Sequence, residues 1–198
     1  IYGLAAIGVL DPQRLKRNAD ARAGDVLVLG KPLGVGVYSS ALKKEVLDAE
    51  GYRQMIESTT RLNSVGMSLA ALDGVHAMTD VTGFGLLGHL VEMADGSRLT
   101  ARIAYDRVPR LDSVEYYLDQ GCVPGGTLRN FDSYSSKVGR VQELHKRVLC
   151  DPQTSGGLLI AVTPQGNEEF LAVAAELGLD LAPIGELVER QTHAVEVI

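Results

Sequence analysis

Apolar residues recur along the chain in short runs and in helical stripes that alternate. The runs at Val26–Leu29 and Leu158–Val162 lie between turn residues, and each predicts a buried strand. Further strands are predicted at 75–79, 101–105, 182–188 and 194–198. Segments in which apolar residues share one helical face predict helices at 40–50, 62–72, 83–94, 114–118, 138–148 and 165–177.

The order of these segments predicts the fold class. Helices and strands alternate, so we expect an α/β or α+β layered sandwich in which a mixed β-sheet is packed with helices. The segment 121–136 is rich in glycine and polar residues and predicts a loop. The helix predicted at 40–50 would carry Leu42, Val46 and Ala49 on its apolar side.

The start of the sequence has a different character from the rest. Residues 1–10 form an apolar run without an initiator Met, which reads as a strand already under way, and Asp11-Pro12 ends it. We therefore expect a chain cut from a longer one. Residues 1–23 would be the last strand and linker of a truncated preceding domain, and residues 24–198 a carboxyl-terminal α/β domain.

Composition and charge narrow the classes of function. A formal charge of -6 without a basic stripe argues against a nucleic-acid partner. No apolar run reaches the roughly 20 residues of a membrane span. Two cysteines, Cys122 and Cys150, give neither a disulfide framework nor metal-ligand spacing. A reduced, cytoplasmic setting is the default expectation.

The segment 78–85, MTDVTGFG, lies between a predicted strand and a predicted helix. A carboxylate at that position, Asp80, suits magnesium, which takes one or two carboxylates together with water and phosphate oxygens. The free N–H groups of the helix start suit an anion. The alternative is that Asp80 or Thr82 caps the helix and the glycines allow close packing.

Two further segments are candidates for binding. The segment 151–157, DPQTSGG, can form a polar cradle or a tight turn in which Asp151 accepts hydrogen bonds from backbone N–H groups two or three residues on. In 123–130, Arg129 can contact a phosphate or remain solvated in a surface loop. We expect His89 to be exposed on its helix and Cys150 to be a small buried residue.

These segments carry a family resemblance. The segments 77–90 and 149–159 closely resemble two signatures of selenophosphate synthetases (selenide, water dikinases), and they occur in the family's order. Weaker similarities lie at 1–5, 24–34, 123–130 and 184–188. The family belongs to a wider group that includes aminoimidazole ribonucleotide synthetase, so the resemblance implies the carboxyl-terminal domain of that type.

The resemblance implies a reaction. Members of the family convert ATP, selenide and water into selenophosphate, AMP and phosphate. They are dimers, and their amino-terminal domain supplies most nucleotide contacts. Asp80 matches the aspartate that helps bind the magnesium on ATP.

Several family features lie outside this chain. The catalytic Cys or selenocysteine and the catalytic Lys would precede Ile1, and neither Cys122 nor Cys150 matches that position. Gly30 stands where the family commonly has Thr. We therefore expect the isolated chain to fold, to bind magnesium weakly through one carboxylate, and to be inactive.

Two other functions are compatible with the sequence. The chain can belong to another ATP-dependent enzyme of the same superfamily, such as a purine-pathway synthetase or a thiamine-phosphate kinase. It can also be a non-catalytic scaffold or partner-binding domain.

Overall fold

A six-stranded sheet forms the centre of the structure, a computed structural model that describes residues 3, 5 and 7–198. The strand order is β2-β4-β1-β5-β3-β6. Only the pairing of β3 with β6 is parallel among the described strands. The strands are β1 (Val26–Leu29), β2 (Val75–Asp80), β3 (Leu99–Ile103), β4 (Leu158–Val162), β5 (Pro183–Glu189) and β6 (Val195–Val197).

Eight α-helices occur in the described part of the chain. They are α1 (Val35–Lys43), α2 (Ala49–Thr60), α3 (Gly66–Ala70), α4 (Gly85–Ser97), α5 (Val114–Asp119), α6 (Gly125–Tyr134), α7 (Glu143–Leu149) and α8 (Asn167–Glu176). Short 3-10 turns add Pro12–Arg14, Tyr105–Arg107, Ser135–Lys137 and Pro164–Gly166.

Hydrophobic side chains pack on both faces of the sheet because successive side chains of a strand point to opposite faces. Leu27 and Leu29 of β1 join a large core that includes residues of α1, α4, α5 and α7. Val28 faces the other way and joins a smaller core with Leu69 of α3 and Phe170 of α8. The central strands are therefore buried on both faces of the sheet, as their continuous apolar runs indicate.

The structure confirms the predicted fold class, a mixed sheet packed with helices. The strands predicted at Val26–Leu29 and Leu158–Val162 have those bounds in the structure. The strand predicted at 75–79 extends to Asp80, and the helix predicted at 83–94 is α4, shifted by two or three residues.

Two predicted elements are wrong. The segment 40–50 contains the end of α1, a turn and the start of α2, and its stripe residues Leu42 and Val46 are exposed. Glu45 adopts a positive φ of 60° there, which interrupts a right-handed helix. The segment 121–136 contains α6 and is not a loop, because Thr127 and Tyr134 of α6 are buried against the rest of the domain.

The strand predicted at the start of the chain falls in part on residues outside the described set. Residues 7–10 have no regular secondary structure, and Ile7 and Val9 are exposed. None of the described helices has the length and apolar character that crossing a membrane requires.

Candidate active site

The two long signature segments meet at one end of the sheet. Asp80, the last residue of β2, is paired with Leu158, the first residue of β4. Beyond the strands, the Val81 N–H donates to the Gly157 carbonyl at 2.8 Å, and the Gln153 N–H donates to the Thr82 carbonyl at 3.1 Å. The loops 81–84 and 151–157 therefore form one hydrogen-bonded unit.

Glycines allow these backbones to approach. A Cβ on Gly156 would overlap the carbonyl oxygen of Val81, and a Cβ on Gly157 would overlap the backbone N of Lys31. Only glycine fits at both positions without a backbone shift. The pair Gly156-Gly157 thus joins the signature segments to the loop after β1.

Asp80 presents an exposed carboxylate at the carboxyl end of an edge strand. Within the described residues, this carboxylate has no hydrogen-bond or ion-pair partner. Helix α4 starts after Phe84, and no side chain of the described residues is a hydrogen-bonded cap at this end. Neither Asp80 nor Thr82 caps α4, so the capping half of the alternative is wrong. Its other half is confirmed, because a Cβ on Gly85 would lie 2.7 Å from the backbone carbonyl carbon of Cys150.

His89 is buried, which corrects the expectation that it lies on an exposed helix face. The reason is that α4 is buried around most of its circumference, including Gly88 and Leu90 on either side. His89 Nε2 accepts a hydrogen bond from the Thr82 N–H at 3.0 Å, and Nδ1 lies 3.2 Å from Glu92. The imidazole therefore holds the loop that follows Asp80.

Asp151 has partners that the turn hypothesis did not include. Its Oδ2 accepts hydrogen bonds from the Gly36 N–H at 3.0 Å and from Gln153 Nε2 at 2.7 Å, whereas no local backbone N–H bonds to it. Gly36 is in the first turn of α1, where a carboxylate satisfies free N–H groups and the helix dipole. The amino-terminal end of α1, where an anion would otherwise bind, is thus occupied by the Asp151 carboxylate.

The surroundings of Asp151 change its ionisation. The residue is fully buried, and Oδ1 has no hydrogen-bond partner in the described part of the chain. Burial raises the pKa of Asp151 to about 7, against the hydrogen bonds from Gln153 and Gly36, which favour the charged form.

The third segment joins the site through Asn130 rather than through Arg129. Asn130 Nδ2 donates to the Gly83 carbonyl at 2.7 Å and to the Cys150 carbonyl at 3.1 Å, so it ties the two signatures together. Arg129 is exposed on α6, a helix and not the loop that we expected. Cys150 is buried as predicted, and burial raises the pKa of its thiol to about 11.

Lys31 is a site residue that sequence reasoning missed. It is buried, and its ammonium donates to the carbonyls of Ser58, Arg61 and Ser155. Ser155 has a positive φ of 51°, and Lys31 holds its carbonyl at 2.6 Å. The sequence signal was the position of Lys31 two residues after the end of β1, in the segment 24–34.

The chain matches a described protein family over most of its length. The family model described as "AIR synthase related protein, C-terminal domain" matches residues 22–198. The chain belongs to this family. That membership confirms the predicted domain type.

Curated relatives show which members of the family this chain is similar to in sequence. The chain is 62% identical over 198 residues to a protein named "Selenide, water dikinase" from Pseudomonas aeruginosa, and 59% identical to one of the same name from Pseudomonas putida. Each match covers 100% of this chain and 58% of the relative. The chain therefore spans little more than half the length of these relatives.

Solved structures share the fold of the family. A thiamine-monophosphate kinase from Stenotrophomonas maltophilia has a TM-score of 0.66 at 19% identity, covering 92% of this chain and 52% of that chain. The hydrogenase maturation protein HypE in complex with ATP has a TM-score of 0.62 at 18% identity, covering 88% of this chain and 45% of that chain.

Proposed function

We propose that the chain forms the carboxyl-terminal part of a selenide, water dikinase, which makes selenophosphate, AMP and phosphate from ATP, selenide and water. The observation that carries the proposal is 62% identity along the whole chain to a relative of that name. The matched region contains both signature segments, which the structure joins at the Asp80 end of the sheet.

In this proposal Asp80 supplies one ligand to the magnesium ion on ATP. Its carboxylate is exposed and unpaired among the described residues, and it stands at the end of β2, before a loop that His89 and Gly157 fix from two sides. The described residues contain no group of three or more His, Cys, Asp or Glu side chains that could hold a metal by themselves. One carboxylate fits magnesium, because this ion keeps several waters and binds phosphate oxygens.

The nucleotide is part of the same proposal. Phosphoryl transfer depends mainly on positioning and on neutralising phosphate charge, and magnesium supplies that neutralisation when bound. The structural relative HypE was solved with ATP, which supports a nucleotide site in this fold. We place the catalytic Cys or selenocysteine and the catalytic Lys in the part of the relatives that the match does not cover.

Further features of the proposal follow from the family resemblance. The complete protein would be a cytoplasmic homodimer, and residues 1–23 would link a preceding ATP-binding domain to the α/β domain of 24–198. The chain alone would fold without catalysing the reaction. A purine-pathway synthetase or thiamine-phosphate kinase is not favoured, because the kinase structure shares only 19% of its sequence while curated dikinases share 51–62%.

A chimera tests the proposal. This chain would replace the matched 58% of the Pseudomonas aeruginosa relative, and the product would be assayed for AMP release from ATP with and without selenide. We expect selenide-dependent AMP release comparable with that of the parent enzyme. A folded chimera that releases no AMP in the presence of selenide would contradict the proposal.

A further inference from the structure

An open cavity of about 620 Å³ lies beside the candidate active site but is lined by a different set of residues. No residue of the segments 77–90 or 151–157 lines it, and the shared residue is Lys31, which also contacts Ser155 of the candidate site. Its walls come from the loop after β1, the second half of α2 and the segment 110–112. The lining contains three cationic residues, namely Lys31, Arg61 and Arg110.

These cations are tied together by backbone contacts. Leu33, two residues after Lys31, forms a parallel bridge with Arg110, and the Leu111 N–H donates to the Leu33 carbonyl at 2.9 Å. The Lys31 ammonium donates to the Arg61 carbonyl at 2.6 Å. The relative positions of all three residues are therefore fixed by the fold.

Both guanidinium groups are oriented by protein contacts and keep unused N–H groups. Arg110 Nη1 donates to the carbonyls of Tyr105 and Val108, and its guanidinium carbon lies 4.4 Å from the centre of the Tyr105 ring. Arg61 Nη2 donates to the Gly178 carbonyl at 3.1 Å. Arg110 Nη2, Arg61 Nε and Arg61 Nη1 have no acceptor among the residues that the structure describes. A guanidinium presented in this way matches the oxygens of a phosphate group.

Among the described residues, neither carboxylate of the lining forms an ion pair with Arg61 or Arg110. Arg110 Nε does lie 3.6 Å from Glu115, a carboxylate outside the lining, so the free N–H groups of Arg110 are on its Nη2. Glu57 pairs with Arg53, which is not a lining residue, and Asp112 accepts a hydrogen bond from Gln54 Nε2 at 2.8 Å. The carbonyls at the end of α2, which would repel an anion, are covered by the Lys31 ammonium.

Two more observations favour the binding of an anion in the cavity. Burial, and then the nearby charge of Arg61, lower the pKa of Lys31, so two cations repel each other here. Ser58 is buried in the lining, and its Oγ has no hydrogen-bond partner within the described residues. A bound anion would relieve the repulsion, and a small side-chain movement would give Ser58 an acceptor.

We propose that this cavity is a phosphate-binding site in which Arg61 and Arg110 hold the phosphate oxygens. The ligand is either free inorganic phosphate or the phosphate of a nucleotide such as AMP. The inference concerns this chain alone and does not rest on the proposed dikinase activity.

The test is a titration of the 198-residue chain with inorganic phosphate at constant ionic strength, followed by NMR of the arginine Nε–H groups. We expect saturable shifts at Arg61 and Arg110. Arg61→Gln and Arg110→Lys should each weaken binding about tenfold or more, because each removes charge-assisted hydrogen bonds. A parallel titration with AMP distinguishes the two sources of the phosphate group.

The matched control is Arg140→Gln, which removes the same charge from an exposed arginine that does not line this cavity. It should leave phosphate affinity unchanged. Arg61 is exposed, so its variant should fold even if the Arg110 variant does not. Shifts that do not saturate, or equal weakening in the Arg140 variant, would overturn the proposal.

Discussion

The Asp151 carboxylate accepts a hydrogen bond from the backbone N–H of Gly36 at 3.0 Å, although 115 residues separate them. Gly36 lies in the first turn of α1, and a Cβ at this position would lie 2.5 Å from Asp151 Oδ1. The second signature segment therefore caps a helix that begins far away in sequence. This contact fixes the loop 151–157 to the core of the domain.

We expect Asp151→Ala to destabilise the chain. Alanine leaves the part-buried Gly36 N–H without its acceptor and removes one of the two acceptors of Gln153 Nε2, which keeps the Asp151 backbone carbonyl. This loss costs about 2 kcal/mol in the free energy of unfolding. Urea denaturation measures the change. Asp180→Ala is the control, because Asp180 is exposed, and an equal loss of stability in both variants would contradict the capping role.

The raised pKa of Asp151, about 7, predicts a pH dependence of stability. Between the ordinary value of 3.8 and about 7, the folded state holds a proton that the unfolded state releases. The free energy of unfolding should therefore fall as pH rises through this range, by at most about 1.4 kcal/mol per pH unit. The contribution is fully present below pH 3.8 and lost above about 7.

Asp151→Asn separates this effect from other titrations. Asparagine keeps an oxygen acceptor for Gly36 but binds no proton, so its stability relative to the parent should rise as pH increases from about 4 to 7. Urea denaturation of both proteins at several pH values gives the difference. Parallel pH profiles would show that Asp151 does not titrate in this range.

His89→Phe should loosen the loop after Asp80. Phenylalanine has a similar ring but offers no acceptor to the Thr82 N–H, so this part-buried donor loses its partner. Hydrogen exchange at the Thr82 amide should become about tenfold faster or more. Thr82→Val, which removes only the hydroxyl 3.3 Å from His89 Nε2, should leave that amide protected, and equal exchange in both variants would refute the assignment.

Gly156→Ala should be severely destabilising, by about 3 kcal/mol or more, because its Cβ would overlap the Val81 carbonyl oxygen. The control lies in the other signature segment. A Cβ on Gly83 meets nothing within 4 Å, so Gly83→Ala should melt within a few degrees of the parent. Similar melting temperatures for all three proteins would contradict the close packing of the two loops.

Local sequence patterns correctly predicted the strands in which every residue is in an apolar environment. The runs at β1 and β4 are buried on both faces, so their apolar residues mark the strand ends correctly. The helix predicted at 40–50 was wrong because Leu42 and Val46 are exposed, and exposed apolar residues can also occur at helical spacing. Helix α6 was missed because its buried Thr127 and Tyr134 are held by tertiary contacts rather than by an apolar stripe.

The candidate site also has features that local sequence patterns predicted and features that they did not. The segments around Asp80 and Asp151 were recognisable as local motifs, whereas their partners were not. Asp151 reaches Gly36, and Lys31 reaches Ser155, 124 residues away. Long-range hydrogen bonds of this kind leave no periodic signal in a single sequence, so only the folded structure shows which polar residues are structural.

The central claim, that Asp80 is a magnesium ligand of a dikinase, is tested most directly in the chimera with the Pseudomonas aeruginosa relative. Asp80→Asn keeps size and polarity but removes the charge that magnesium needs. We expect selenide-dependent AMP release to fall about tenfold or more, with a higher magnesium requirement and an unchanged melting temperature. Asp73→Asn, at an exposed residue before the other end of β2, should retain parent activity. Near-parent turnover of the Asp80 variant at every magnesium concentration would contradict the account.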